Sequence, residues 1–143
     1  EYYVPMQKII SNTVSCTTTF VQIAGVEALR GDQTEVKQMY NEFKERRELI
    51  VNLINDIPGM HVDMPKGAFY VFVDVREILQ KYGLTSKSLA DHFLYEAGVA
   101  CLGGSSFGEA GEGYIRFSYA NSKENLIEAM RRIKENLYNN YKI

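Results

Sequence analysis

"GYIRFSYANSKENL", residues 113–126, runs from a strand pattern into a helix start and carries one charge the strand does not need. Tyr114, Arg116 and Ser118 alternate with Ile115, Phe117 and Tyr119, the two-residue period of a sheet with unlike faces. Five of these six residues suit a sheet interior. The sixth, Arg116, is a permanent cation that is costly to desolvate without a partner. Asn121 and Glu124, spaced as N-x-x-E, are expected to open a closing helix. That helix would turn Leu126, Ile127, Met130, Ile133, Leu137 and Tyr141 inward.

Upstream, "VACL" (99–102) reads as a brief strand, and "GGSSFGEAGEG" (103–113) as a loop. The loop lacks the Lys-Ser/Thr ending of a P-loop and the G-x-G-x-x-G spacing, and Glu109 and Glu112 would repel an anion. It is expected to be a mobile turn between two strands. Gly104–Gly108 matches G-x-S-x-G, but a strand rather than a helix follows, and both histidines come earlier, so a nucleophile elbow is rejected. "GAFYVFVDV" (67–75) is apolar on both faces as far as Asp74, which predicts a strand in the middle of a sheet. Ser86 or Ser88 can cap the helix "SLADHFLYEA", with Gly98 as its left-handed stop.

Nearer the start, Asp32 and Glu35 are expected to open a long helix carrying Val36, Met39, Tyr40, Phe43, Ile50, Leu53, Ile54 and Ile57 on one side. Pro58-Gly59 ends it. Before it, Thr19 and Gln22 read as a T-x-x-Q capping box for "FVQIAGVEALR", a helix apolar nearly all round that another domain or subunit is expected to cover. The order helix, helix, strand, helix, strand, strand, helix predicts an α/β or α+β domain with a small mixed sheet flanked by helices.

The 143 residues suit about one domain. A net charge of −2 provides no basic stripe for nucleic acid. No run approaches a membrane span, so no membrane is expected. Cys16 and Cys101 lack metal or redox spacing, which fits reduced thiols in a cytoplasmic protein. His61 and His92 form no ligand pair, so no metal site is expected. The start, "EYYVPMQKII", has neither a charged leader nor an initiator methionine and is read as part of a longer chain.

Two readings of Arg116 stand open on spacing alone. One is an interior ion pair with a carboxylate; the other is a fork that receives a ligand carboxylate through two parallel N–H groups. The motifs "PKGAFYVFVDV", "GVACLGGSSFG" and "GYIRFSYANSKENL", taken together, resemble the C-terminal small domain of fold-type I, pyridoxal-phosphate-dependent aminotransferases, nearest the class I, aspartate-aminotransferase-like branch. "SNTVSCTTTFVQIAGVEAL" agrees with the helix region that connects the two domains of that family.

The resemblance implies that residues 1–30 are an interdomain connection and residues 31–143 the small domain, with the large cofactor-binding domain absent. It implies that Arg116 binds the α-carboxylate of amino and 2-oxo acid substrates, that Phe69 walls the substrate site, and that the enzyme is a homodimer. Gly103 stands where the family usually has proline, which leaves the path of the loop less constrained. The cofactor's Schiff-base lysine and its motif do not occur among these residues, so the chain alone is not expected to transaminate. Two alternatives remain: the ligand-sensing region of a transcription regulator, and a carbon–sulfur lyase of the same fold.

Overall fold

The structure, a computed structural model, describes residues 1–14 and 16–142. It divides into two compact units, Glu1–Lys37 and Gln38–Ile143.

The first unit holds α1 (Tyr3–Thr13) and α2 (Thr19–Arg30). The expected box at Thr19 does not form. Thr18 is the N-cap and makes no side-chain bond, while the Gln22 Nε2 donates to the Thr17 carbonyl over 2.6 Å. Gly31 ends α2 as expected. Neither helix buries a residue, and Phe20 and Leu29 stand in the open.

Helix α3 (Thr34–Asn55) begins two residues after Asp32, whose Oδ1 accepts from the Thr34 N–H at 3.0 Å and from its hydroxyl. Asp32 therefore caps the start, but Glu35 completes no box. Only the later part of the predicted stripe is used: Ile50, Val51, Ile54 and Ile57 are buried, whereas Val36, Met39 and Tyr40 are exposed.

The remaining elements are β1 (Tyr70–Asp74), α4 (Arg76–Tyr82), α5 (Ser86–Glu96), β2 (Leu102–Gly103), β3 (Tyr114–Ser118) and α6 (Lys123–Tyr141). Two 3-10 turns, Gly104–Phe107 and Glu109–Gly111, separate β2 from β3. Helix α4 is unexpected from the sequence. It is too short to show a period, yet it buries Ile78 and Leu79 and stops at the left-handed Gly83.

The small sheet among helices is as expected, but its pairings are all antiparallel and its order is β1-β3-β2. The arginine strand is central. β1, expected in the middle, lies at an edge, its other side meeting only an isolated bridge from His61 to Asp74. Its outward face is apolar all the same, and Phe72 remains 40% exposed.

Helix caps moved by one residue or more. Thr85 and Ser88 make a reciprocal capping box for α5, and Ser122, not Asn121, caps α6 by accepting from the Asn125 N–H at 3.2 Å. The Gly98 stop is present at φ 65. Ile127 faces solvent, contrary to expectation, while Leu126, Met130, Ile133 and Leu137 are buried.

One apolar cluster holds the second unit together. Val71 and Val73 of β1 and Ile115 and Phe117 of β3 point to one sheet face, where Ile50 and Ile54, Leu89 and Phe93, and Met130 and Ile133 from three helices join the same cluster. The opposite face presents Tyr70, Phe72, Tyr114 and Arg116. That face is half-open.

Candidate functional site

Arg116 sits at the middle of β3, in register with Phe72 on β1 and Leu102 on β2, so the three side chains form a row across the half-open face. The guanidinium carbon lies 4.2 Å from the centre of the Tyr70 ring and 4.5 Å from that of Phe107. With aromatic rings against the guanidinium, its N–H donors are left to work in its own plane. Among the described residues no carboxylate comes within bridging distance of it and no hydrogen bond engages it. The interior-ion-pair reading of Arg116 is therefore not what the structure shows.

The acid on the same face, Asp74, is already occupied. It accepts from the Arg76 Nε at 3.0 Å and from the Arg76 N–H at 3.0 Å. The side-chain bond from Arg76 chiefly holds its carboxyl below the usual range.

Phe107 reaches Arg116 because the glycine-rich loop is tied down. Glu112 turns its carboxylate to the start of α5, accepting from the Ser86 N–H at 2.7 Å and from the Ser86 hydroxyl at 2.8 Å. The Ser86 hydroxyl also meets that of Ser105, 3.2 Å away. Ser86 is wholly buried. The sequence suggested a mobile turn with anion-repelling glutamates; instead the carboxylate of Glu112 is engaged by the start of α5, where N–H groups have no intrahelical partner.

The glycines let the loop fold on itself. A Cβ at Gly104 would lie 2.0 Å from the Gly111 carbonyl oxygen. Gly103 has φ −62, the value a proline would impose, so the loop follows the path that residue would allow.

These bonds pull the Glu112 pKa down from its ordinary value of 4.5, the main cause being the Ser86 N–H. A depressed carboxylate pKa adds stability that is complete above the ordinary value and fades as acid carries the group through its lowered one. Glu112→Gln is thus expected to destabilise the protein at neutral pH, with the gap to the parent narrowing as the pH falls below 4.5. Urea unfolding of both proteins across that range checks the sign; a gap that widens in acid contradicts it.

The description "Aminotransferase class I and II" fits residues 4–133 of the chain. The chain belongs to that family.

Among its relatives, the "Aspartate aminotransferase" of Pyrococcus horikoshii is 42% identical over 134 residues, 92% of this chain and 33% of the relative. The "Probable aspartate/prephenate aminotransferase" of Aquifex aeolicus is 41% identical over 96% of this chain and 34% of its own length. The solved aromatic aminotransferase from Pyrococcus horikoshii superposes with a TM-score of 0.84 at 39% identity, covering 95% of this chain and 36% of that one. The aspartate aminotransferase from Rhizobium meliloti superposes at 0.80 with 34% identity, over 91% of this chain and 34% of that one. The chain spans about a third of the length of the curated relatives it matches, and its architecture is that of the fold-type I small C-terminal domain.

Within this aminotransferase domain, Phe69 lies one ring away from the arginine. Its ring centre is 4.4 Å from that of Tyr70, which in turn covers Arg116. The backbone places Phe69 by accepting the Tyr119 N–H at 3.0 Å, and the Tyr119 hydroxyl donates to the Ala68 carbonyl at 2.6 Å. Sequence reasoning missed Tyr70 and Phe107 as the rings on the guanidinium. Tyr70 could have been found from its place two residues before Phe72 on the same face; Phe107 could not.

The aminotransferase cofactor finds no complete seat here. An imine-forming lysine must shed its proton near neutral pH, which burial or a neighbouring cation brings about. No described lysine is buried, and Lys87 and Lys123 are instead held protonated by the hydrogen bonds they donate to Asp91 and Glu45. The residues present do not by themselves form a pyridoxal phosphate site. The partly buried Cys101 thiol is pushed up to about 12 by desolvation, which leaves it inert. His92 is engaged with Asn136 at 2.8 Å. Among the described residues no cluster could hold a metal, and no helix is long and apolar enough to cross a membrane.

Proposed function

We propose that this chain is the substrate-gripping part of an amino acid aminotransferase of aspartate type, with residues 1–30 as the connection and residues 31–143 as the small domain. Arg116 takes the α-carboxylate of the amino or 2-oxo acid through its in-plane N–H pair. The observation that carries this reading is a guanidinium flanked by rings and paired with no carboxylate among the described residues. Such a group has already lost part of its hydration but keeps its bonding edge, so an incoming carboxylate completes it. A lysine would supply charge without fixing direction.

Direction matters because a substrate held by both carboxylate oxygens presents its Cα in one orientation, and a small misplacement at a reacting atom costs much rate. Phe69 and Tyr70 wall the approach. Pyridoxal phosphate, bound by sequence outside these residues, supplies the electron sink for the reaction. Movement of this domain over the substrate would then exclude water.

The apolar side chains that α1 and α2 expose support a homodimer in which a second surface covers them. The free thiols of Cys16 and Cys101 suit a reducing, cytoplasmic compartment.

The test incubates the full-length protein with an amino acid and 2-oxoglutarate. The expected result is new glutamate in step with the 2-oxo acid of the donor. Pyruvate and ammonia without glutamate would point to elimination, and ligand binding without turnover to sensing; either defeats the proposal. The isolated chain is expected to form no product.

A further inference from the structure

A second concavity, separate from Arg116, is built by α3 and the turn after Pro65. Lys44 and Arg47 lie on one face of the helix at a spacing of three, with Tyr40 one turn before. Lys66, Gly67 and Ala68 close the other side, and Phe43 and Tyr119 complete the wall around about 260 Å³. The rings of Phe43, Phe69 and Tyr70 stand in sequence between this space and Arg116.

Three cations share the space, and among the described residues none of them meets a carboxylate within bridging distance. Two of the acids nearby are engaged elsewhere. Glu42 holds Arg46 at 2.9 Å, and Glu45 holds Lys123. Glu48, one turn past Lys44, forms no bridge to it. In a chain of net charge −2, such a cluster does not follow from an excess of basic residues.

Arg47 stands in this wall with one donor unsatisfied. Its Nη1 donates to the Pro65 carbonyl at 3.1 Å, which fixes the fork. Its Nε is buried with no partner, alone in this among the described side-chain atoms. A buried donor left unbonded costs free energy, and such atoms commonly mark a missing water or ion. The turn adds donors. Ala68 has φ 61, and the N–H groups of Gly67 and Ala68 bond to no described residue. Successive free N–H groups in such a turn form a concavity that suits anions.

We propose that this pocket binds an organic phosphate monoester. A carboxylate would neutralise one cation and leave two. A phosphate monoester brings a charge of about −2 near neutral pH and three acceptor oxygens. One water occupies about 30 Å³ of liquid, so the space exceeds what a bare oxyanion needs. The rings of Tyr40, Phe43 and Tyr119 provide an apolar wall for the organic remainder.

The test uses the full-length protein, with any cofactor it holds, carrying Arg116→Ala so that the sheet-face arginine takes no part. Phenyl phosphate, inorganic phosphate and benzoate are titrated at fixed ionic strength by calorimetry, and the amide resonances of Gly67 and Ala68 are followed. Phenyl phosphate is expected to bind tightest, benzoate weakest, and both amides to shift. The surface double variant K44Q/K66Q, which removes no buried contact, is expected to weaken phenyl phosphate about tenfold. Arg47→Lys keeps the charge, removes the Nε donor, and is expected to weaken it as well. Benzoate binding equally well, undiminished affinity in K44Q/K66Q, or shifts confined to other amides would each overturn the proposal.

Discussion

Arg116→Ala in the full-length protein is expected to lower kcat/KM by about 100-fold or more for every amino acid donor, whatever its side chain, because all share the carboxylate that the proposed function assigns to the arginine. Each charged hydrogen bond is worth roughly 1.5–3 kcal/mol, and two are lost together. Arg116→Lys restores the charge but not the fork, and is expected to recover only a small part of the loss. A substrate whose carboxylate is masked as an amide has nothing for the fork to grip, so the substitution should matter little for its binding. Steady-state kinetics over a panel of donors is the measurement. A defect confined to acidic or to aromatic donors would place Arg116 at the side chain instead. The fold is expected to tolerate the change, since Arg116 makes no hydrogen bond or ion pair with any described residue and lies on a half-open face.

Gly104→Ala is expected to be as damaging by another route. The added carbon would stand 2.0 Å from the Gly111 oxygen and 2.8 Å from that of Tyr114, and both are main-chain atoms that no rotamer change can move aside. The two 3-10 turns must then separate. Overpacking in a fitted site costs about 1–3 kcal/mol, and a clash between backbones lies at the upper end. Phe107 belongs to the first of these turns and Glu112 follows the second, so the ring leaves Arg116 and the Ser86 clasp loosens together.

The expected pattern is lower resistance to urea and a raised KM for all donors. Gly108→Ala provides the contrast. Nothing lies within 4 Å of a Cβ there, although its φ of 112 strains any other residue, so its cost is that of backbone conformation alone. If Gly104→Ala leaves stability and KM unchanged, the loop does not hold Phe107 in the way described.

Residues that act on their near neighbours in the chain were legible without coordinates. The alternation at 114–119, the stop at Gly31 and the left-handed Gly98 all depend on backbone geometry within a few residues, and each stands where the sequence places it. The caps were less secure. Thr18, Thr85 and Ser122 took over from adjacent Ser, Thr or Asn residues of almost equal aptitude, since a one-residue shift in the helix start costs little.

Strand β1 misled for a different reason. An apolar second face on β1 does not require a neighbouring strand beyond it, and periodicity cannot distinguish cover from pairing. Sequence alone therefore determined most elements of this domain, α4 excepted, and singled out Arg116 as the charge needing an explanation. Only the tertiary structure decided that β3 lies at the centre, that the rings on the guanidinium come from Tyr70 and Phe107, and that Glu112 ties the loop to α5. Those relations join residues far apart in the chain, where no local pattern records which surface meets which, and packing alone selects the partner.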